Sequence, residues 1–195
     1  MLLAEPARRY DPTRQRRRSV RLPFHGYADG VYFVTICTHG QVPLFGEVVD
    51  GGMCLSGLGA MVWEEWERTG DIRAEVVLDA FVVMPNHVHG IFGIIGDDAT
   101  PTGGVGATGR SPLRSGPNAR PGPPPKSLGA LVAGFKSAVT KRVNAARGTP
   151  GVVVWQRNYH ERVLRDEREL GVARRYIADN PLRWTFDRYG PDDTV

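Results

Sequence analysis

Two histidines one residue apart, His87 and His89 in the stretch MPNHVHG, stand directly behind an apolar run. On a β-strand, side chains two apart share a face, so the imidazoles project side by side while Val88 and Gly90 face away. Such a pair can reach one metal ion, and Gly90 together with the turn before His87 is expected to leave room there for a substrate backbone. The pair is only half a site, and it is equally the pattern of a hydrogen-bonded surface feature. The other half must come from a second element. In RRYIADNP, Tyr176 and Asn180 stand at i and i+4, on one helical face about a turn apart. A helix crossing the histidine strand would deliver a phenol and an amide oxygen together, with Asp179 as the competing oxygen ligand. Together these groups suit phosphodiester exchange: an ion polarises the phosphate while the tyrosine hydroxyl attacks phosphorus and keeps the cut strand as a phosphotyrosine. The free 3′-hydroxyl can reverse that step without ATP, consistent with a chain that has no GxxxxGK[ST] phosphate loop. Taken alone, Tyr176 reads as a half-buried core tyrosine.

The elements that must position these residues follow from periodicity. GVYFVTICTHG alternates and is rich in β-branched and aromatic residues, which predicts a strand from Val31 to Thr38. Two short apolar runs around Asp50-Gly51-Gly52 predict a small hairpin appended to the main sheet. Leu55, Leu58, Val62 and Trp66 have helical spacing, with Gly70 as a stop signal. AEVVLDAFVVM and HVHGIFGII, separated by the Pro85-Asn86 turn, predict an antiparallel strand pair. Residues 97–126 are nearly all Gly, Pro, Ser, Thr, Asn and Arg, and are expected to be a disordered insertion and tolerated spacer within one domain. A second helix follows, with Leu128, Leu131, Val132, Phe135, Val139 and Val143 on its apolar stripe. VVVWQRNYHERVLRD predicts one or two short strands split near Arg157-Asn158, and DERELGVARRYIADNP a third helix, begun near Asp166 and ended by Pro181. The order is the βαββαβ plan of ferredoxin-like α/β (α+β) folds: an antiparallel sheet, helices on one face, and a further C-terminal helix. That plan hosts many unrelated functions, so the function must come from specific residues.

A chain of 195 residues is the size of one domain. The expected layout is a basic N-terminal arm over 1–20, one domain over 21–190 that carries the insertion, and a tail over 191–195. No segment has the length and hydropathy of a membrane span or a signal-peptide core, so a soluble, cytoplasmic protein without a membrane partner is expected. Cys37 and Cys54 are too few for a disulfide framework or a cysteine metal cluster. The net charge of +4 is modest, but Arg8, Arg9, Arg14, Arg16, Arg17, Arg18 and Arg21 crowd the N-terminus. That cluster suits a phosphate backbone as well as a solvated tail. Lys136, Lys141, Arg157, Arg174 and Arg175 are further candidate phosphate contacts, each of which reads equally as an ordinary solvated cation.

Taken together, FVVMPNHVHGIF, VWQRNYHERVLRD and ARRYIADNPLRW resemble the single-tyrosine HUH transposases, and the WQ and YIxxNP blocks are most similar to REP-associated tyrosine transposases. The resemblance runs from about Arg18 to Asp187 and skips the insertion. It implies an enzyme that binds single-stranded DNA, often as a hairpin or palindromic repeat, and cleaves and rejoins it through a 5′-phosphotyrosine. His87 and His89 match the family's metal histidines, Tyr176 its catalytic nucleophile, and Asn180 the position that can complete the site. Imidazoles alone favour zinc or another transition metal, whereas the resemblance implies magnesium or manganese. It also leaves a monomer or a homodimer open. Tyr159, in the WQRNYH block, is the rival tyrosine, for which packing or base stacking is expected. His160 and Glu161 beside it are expected to be an exposed polar pair. Two functions of other kinds stay open: a non-catalytic nucleic-acid-binding module on the same scaffold, and a zinc hydrolase, although the chain has no HExxH.

Overall fold

The computed structural model describes residues 30–95 and 126–186. The expected N-terminal arm with Arg16, Arg17 and Arg18, the insertion up to residue 125 and the tail lie outside them. The elements in chain order are β1 (Val31–Cys37), β2 (Gly46–Val49), β3 (Gly52–Leu55), α1 (Gly57–Ile72), β4 (Val76–Val83), β5 (His87–Ile94), α2 (Leu128–Arg147), β6 (His160–Leu164) and α3 (Glu167–Asp179). A 3-10 segment, Pro181–Phe186, continues from α3. The main sheet has the order β4-β5-β1-β6, antiparallel at every pairing, while β2 and β3 form a separate two-stranded sheet. With α1, α2 and these four strands in this order, the architecture is the mixed α/β, ferredoxin-like plan.

Strand alternation assigns the two faces. Val34, Ile36, Phe81, Val83, Val88 and Phe92 pack with Trp66 of α1 and Phe135 of α2. Trp66 stacks on Phe81 at a centroid distance of 4.3 Å and meets Phe135 edge-on. Each such fully buried side chain contributes about 1.5–3 kcal/mol, so this layer is the main support of the fold. On the opposite face Val31, Ala80, Val82, Met84, Ile91 and Leu164 pack with Leu170, Ala173 and Ile177 of α3. A register shift between Leu78 and Phe81 keeps both on the α1 and α2 side although they are an odd number of residues apart.

Two local expectations are corrected and a third is narrowed. Gly70 does not stop α1, which runs on to Ile72. A Cβ there would lie 2.8 Å from Leu78 Cδ1, so the glycine permits the close approach of β4. Gly90 likewise faces away from the histidines: an added Cβ would meet the Trp66 ring at 2.4 Å, so Gly90 makes room for a core tryptophan, not for a substrate. Of the one or two strands expected in VVVWQRNYHERVLRD, one forms, β6, and the first half touches the sheet through one isolated bridge, Thr38 to Trp155.

The caps account for the helix starts. Ser56, Ser127 and Asp166 each accept a hydrogen bond from the backbone N–H three residues on, which satisfies a first-turn donor. Gly148 ends α2 in the left-handed conformation, φ 64°.

Candidate functional site

His87 and His89 are 0% and 1% exposed, so they are not a surface feature of the sheet. They lie on the α3 face of β5, opposite Cys37 and Thr35 of β1. Buried polar groups must be hydrogen-bonded, and both imidazoles are. The Nδ1 of His87 is 2.8 Å from Oδ1 of Asn86. The Nδ1 of His89 is 2.8 Å from Oγ1 of Thr35. The two Nε2 atoms face each other at 3.0 Å. An amide oxygen only accepts, so His87 carries its proton on Nδ1 and presents the Nε2 lone pair inward. Two lone pairs cannot face each other at that distance, so the pair must hold either one proton or one cation between them.

The Thr35 hydroxyl can serve either state. When it donates to Nδ1, His89 carries its proton on Nε2 and donates to His87. When it accepts from Nδ1–H, both Nε2 lone pairs are free for an ion. Two ligand atoms each about 2.1 Å from an octahedral ion are about 3.0 Å apart, whereas a tetrahedral ion separates them by about 3.4 Å. The residues therefore fit one divalent ion with little rearrangement.

Tyr176 lies above the pair. Its ring is edge-on to His89 at 5.1 Å and to Phe33 at 5.9 Å, and its hydroxyl is 3.5 Å from His89 Nε2, at the outer limit of a hydrogen bond. At 37% exposed it is open to solvent on one side, as a nucleophile for a polymer must be. Phe33 stacks on His89 at 5.3 Å and forms the floor between them.

Asn180 follows one turn beyond Tyr176 as the C-cap of α3 and is 1% exposed. The 3-10 segment after it brings Trp184 to 5.9 Å from His87. Asp179 is half-exposed and lies 3.7 Å from the Arg183 guanidinium. Among the described residues no third His, Cys, Asp or Glu gathers with the histidines. Among the groups described, an amide oxygen could complete the shell together with water or a substrate phosphate.

The candidate phosphate contacts are scattered. The Arg174 guanidinium grips both carboxylate oxygens of Asp79, with Nε to Oδ1 at 2.9 Å, and so bolts α3 to β4. The Lys136 ammonium donates to the carbonyls of Gln156, Arg157 and Asn158, and burial pulls its pKa down. Arg175 is exposed on α3. Arg157 and Lys141 line a groove of about 800 Å³ between α2 and the 148–157 loop, beside the other layer. Tyr159 packs against that same layer with Lys136 over its ring at 6.0 Å. Burial and the neighbouring Glu161 push its phenol pKa up, which suits packing.

His160 and Glu161 are exposed, as expected. The strand separates them, however, because His160 pairs with Thr35 and faces the α3 side. Three positions that the sequence motifs did not single out thus belong to the site, Thr35, Asn86 and Phe33, and His160, read from the sequence only as an exposed polar residue, lines it as well. Asn86 could have been found beside the HxH pair. The other three become neighbours only through sheet pairing.

Among the described residues, no helix is long and apolar enough to cross a membrane. No protein-family model matches the chain. A protein of Haemophilus influenzae, described only as uncharacterized, is 35% identical over 182 residues, covering 92% of this chain and 96% of the relative. Among solved structures, a REP-associated tyrosine transposase bound to a REP hairpin overlays with a TM-score of 0.48 at 17% identity, covering 80% of this chain and 68% of that one. A Deinococcus radiodurans protein provisionally described as a transposase overlays at 0.39 and 19%, covering 80% and 95%. At these identities and scores neither overlay assigns a chemistry.

Proposed function

The chain belongs to the same family as the Haemophilus influenzae protein, and we propose that it is a DNA transposase that cuts and rejoins single-stranded DNA through a 5′-phosphotyrosine. The observation that carries this is the convergence of three side chains from two elements, with His89 Nε2 3.0 Å from His87 Nε2 and 3.5 Å from the Tyr176 hydroxyl. A core tyrosine has no need of two buried, mutually facing imidazoles. A zinc hydrolase has no need of a phenol above them.

In this mechanism His87 and His89, together with Asn180 at the end of α3, would hold a magnesium or manganese ion. That ion would supply Lewis-acid polarisation of the scissile phosphate and stabilise its developing charge. Tyr176 attacks phosphorus, forming a Tyr–O–P bond as the P–O3′ bond breaks. The phenolic proton is lost to solvent, and the leaving 3′-oxygen takes one up to become a hydroxyl. One phosphodiester is thereby exchanged for another, and attack by a 3′-hydroxyl on the phosphotyrosine rejoins DNA and restores Tyr176. Phe33 holds the ring by edge contact, and the Asp79 to Arg174 bridge holds the helix that carries it. The DNA partner is a hairpin or palindromic repeat with a single-stranded tail, and the protein acts as a monomer or as a homodimer. Arg16, Arg17, Arg18, Arg157 and Arg175 are candidates to contact its backbone.

The test is a hairpin-tailed single-stranded oligonucleotide incubated with manganese and analysed for a denaturant-resistant protein–DNA adduct. The adduct is expected with the natural chain and with Tyr159→Phe, and is lost in Tyr176→Phe. Loss in Tyr159→Phe alone would assign the wrong tyrosine. Binding without any adduct would favour the non-catalytic module, and Tyr176-independent turnover the zinc hydrolase.

A further inference from the structure

A groove of about 460 Å³ runs from the His89 and Tyr176 pair between α3 and β6. Its helix wall is one face of α3, on which Arg168, Val172 and Tyr176 follow at i, i+4 and i+8. Its other wall is β6, the edge strand of the sheet, with His160 and Arg162 turned inward. Phe33 forms the floor. Val172 is 50% exposed at the lip, an apolar side chain left in water beside an aromatic ring. The charges are unequal in what they leave available. Arg162 is paired with Glu169 at 3.3 Å, and Glu169 also accepts from the Arg165 backbone N–H at 3.0 Å. Arg168 makes no ion pair among the described residues.

We infer that this groove holds the one or two nucleotides next to the scissile phosphate, with a base against Phe33 and Val172 and the following phosphate on Arg168. The inference rests on Tyr176 being the nucleophile. Because Tyr176 and His89 both line the groove, an occupant beside them is continuous with the phosphate attacked, which favours the substrate strand over a separate small molecule or peptide. An aromatic floor accepts the π-face of any base. A guanidinium with no carboxylate partner among the described residues suits a phosphate. Eight helical residues separate Arg168 from Tyr176, about 12 Å along the axis, which leaves room for a nucleotide between them.

The experiment uses the full chain, manganese, and a pool of hairpin-tailed oligonucleotides with randomised tails, sequencing the strands recovered as adducts. Arg168→Gln is expected to lower adduct yield about tenfold, the scale of one charge-assisted hydrogen bond. In the Tyr176→Phe background it should also make the salt slope of binding shallower by about 0.7, the loss of one single-strand phosphate contact. Val172→Asp should change the base preference at a tail position adjoining the cut. Both side chains are exposed, so thermal melting should match the natural chain. Adducts formed by both variants with unchanged yield, salt slope and tail preference would overturn the groove assignment while leaving the tyrosine chemistry standing. An absence of adducts with the natural chain would instead overturn both.

Discussion

Thr35 Oγ1 stands 2.8 Å from Nδ1 of His89, across the β1 to β5 pairing, where the hydroxyl can accept from Nδ1–H and so leave Nε2 to face an ion. Thr35 is 3% exposed, so no bulk water competes for the position. Thr35→Val keeps the shape and removes the partner. Manganese affinity, followed by electron paramagnetic resonance, is expected to fall about 10- to 100-fold, the usual cost of losing an outer-shell partner of a ligating histidine. Thr35→Ser should retain most of it. Equal affinity in the threonine and valine forms would show that the hydroxyl does not govern ligation.

The bridge between Arg174 and Asp79 joins residues 95 apart in sequence. Removing the carboxylate leaves a guanidinium that is only part-exposed without its counter-charge, and hydrogen bonds to charged groups contribute about 1.5–3 kcal/mol. Asp79→Ala is expected to lower the denaturant midpoint by that order and reduce adduct yield as α3 loses its anchor. Hydrogen exchange should locate the loosening in α3 and spare α1 and α2. Uniform loosening would mean that the bridge supports the whole fold.

The sequence made the strands and helices legible wherever one periodicity dominated, as in β1, the β4 and β5 pair, α2 and α3. It also exposed the histidine pair and the Tyr176 to Asn180 spacing, because both arise from local geometry. What stayed hidden depended on partners distant in the chain. Nothing near Arg174 in sequence announces Asp79, and nothing near Lys136 announces three carbonyls on the 156–158 turn. Gly70 and Gly90 carry the signals of a stop and of an open site. Each is set by a large side chain approaching from another element, Leu78 in one case and Trp66 in the other. In the WQRN block, Trp155 is drawn into the core against Phe45 and Phe135, which leaves one bridge where alternation suggested a strand.

Gly90→Ala tests that last kind of constraint. The new methyl would lie 2.4–2.9 Å from the Trp66 ring, which is buried against Phe81 and cannot swing aside. Overpacking of this sort costs about 1–3 kcal/mol, read as a lower urea midpoint. Because the Cβ position of Gly90 faces the layer opposite the histidines, manganese affinity of the folded fraction should fall less than it does in Thr35→Val. A large loss of affinity with normal stability would return Gly90 to the substrate side.

Asn180 and Asp179 are adjacent, and each carries an oxygen suited to a hard cation, yet their surroundings differ. Asn180 is buried at the C-cap of α3, where its backbone N–H reaches the Ile177 carbonyl and its own carbonyl accepts from Arg183 N–H at 3.1 Å. Those bonds do not involve the side chain and persist in Asn180→Ala. Asp179 is occupied with Arg183 in a surface pair, and such pairs contribute about 0–1 kcal/mol. Asn180→Ala is therefore expected to weaken manganese binding at least tenfold, about 1.4 kcal/mol in binding free energy, and to suppress the adduct. Asp179→Ala should leave both near the natural level. The reverse pattern, with Asp179→Ala losing the metal, would require the end of α3 to unwind on binding and would move the third ligand one residue back.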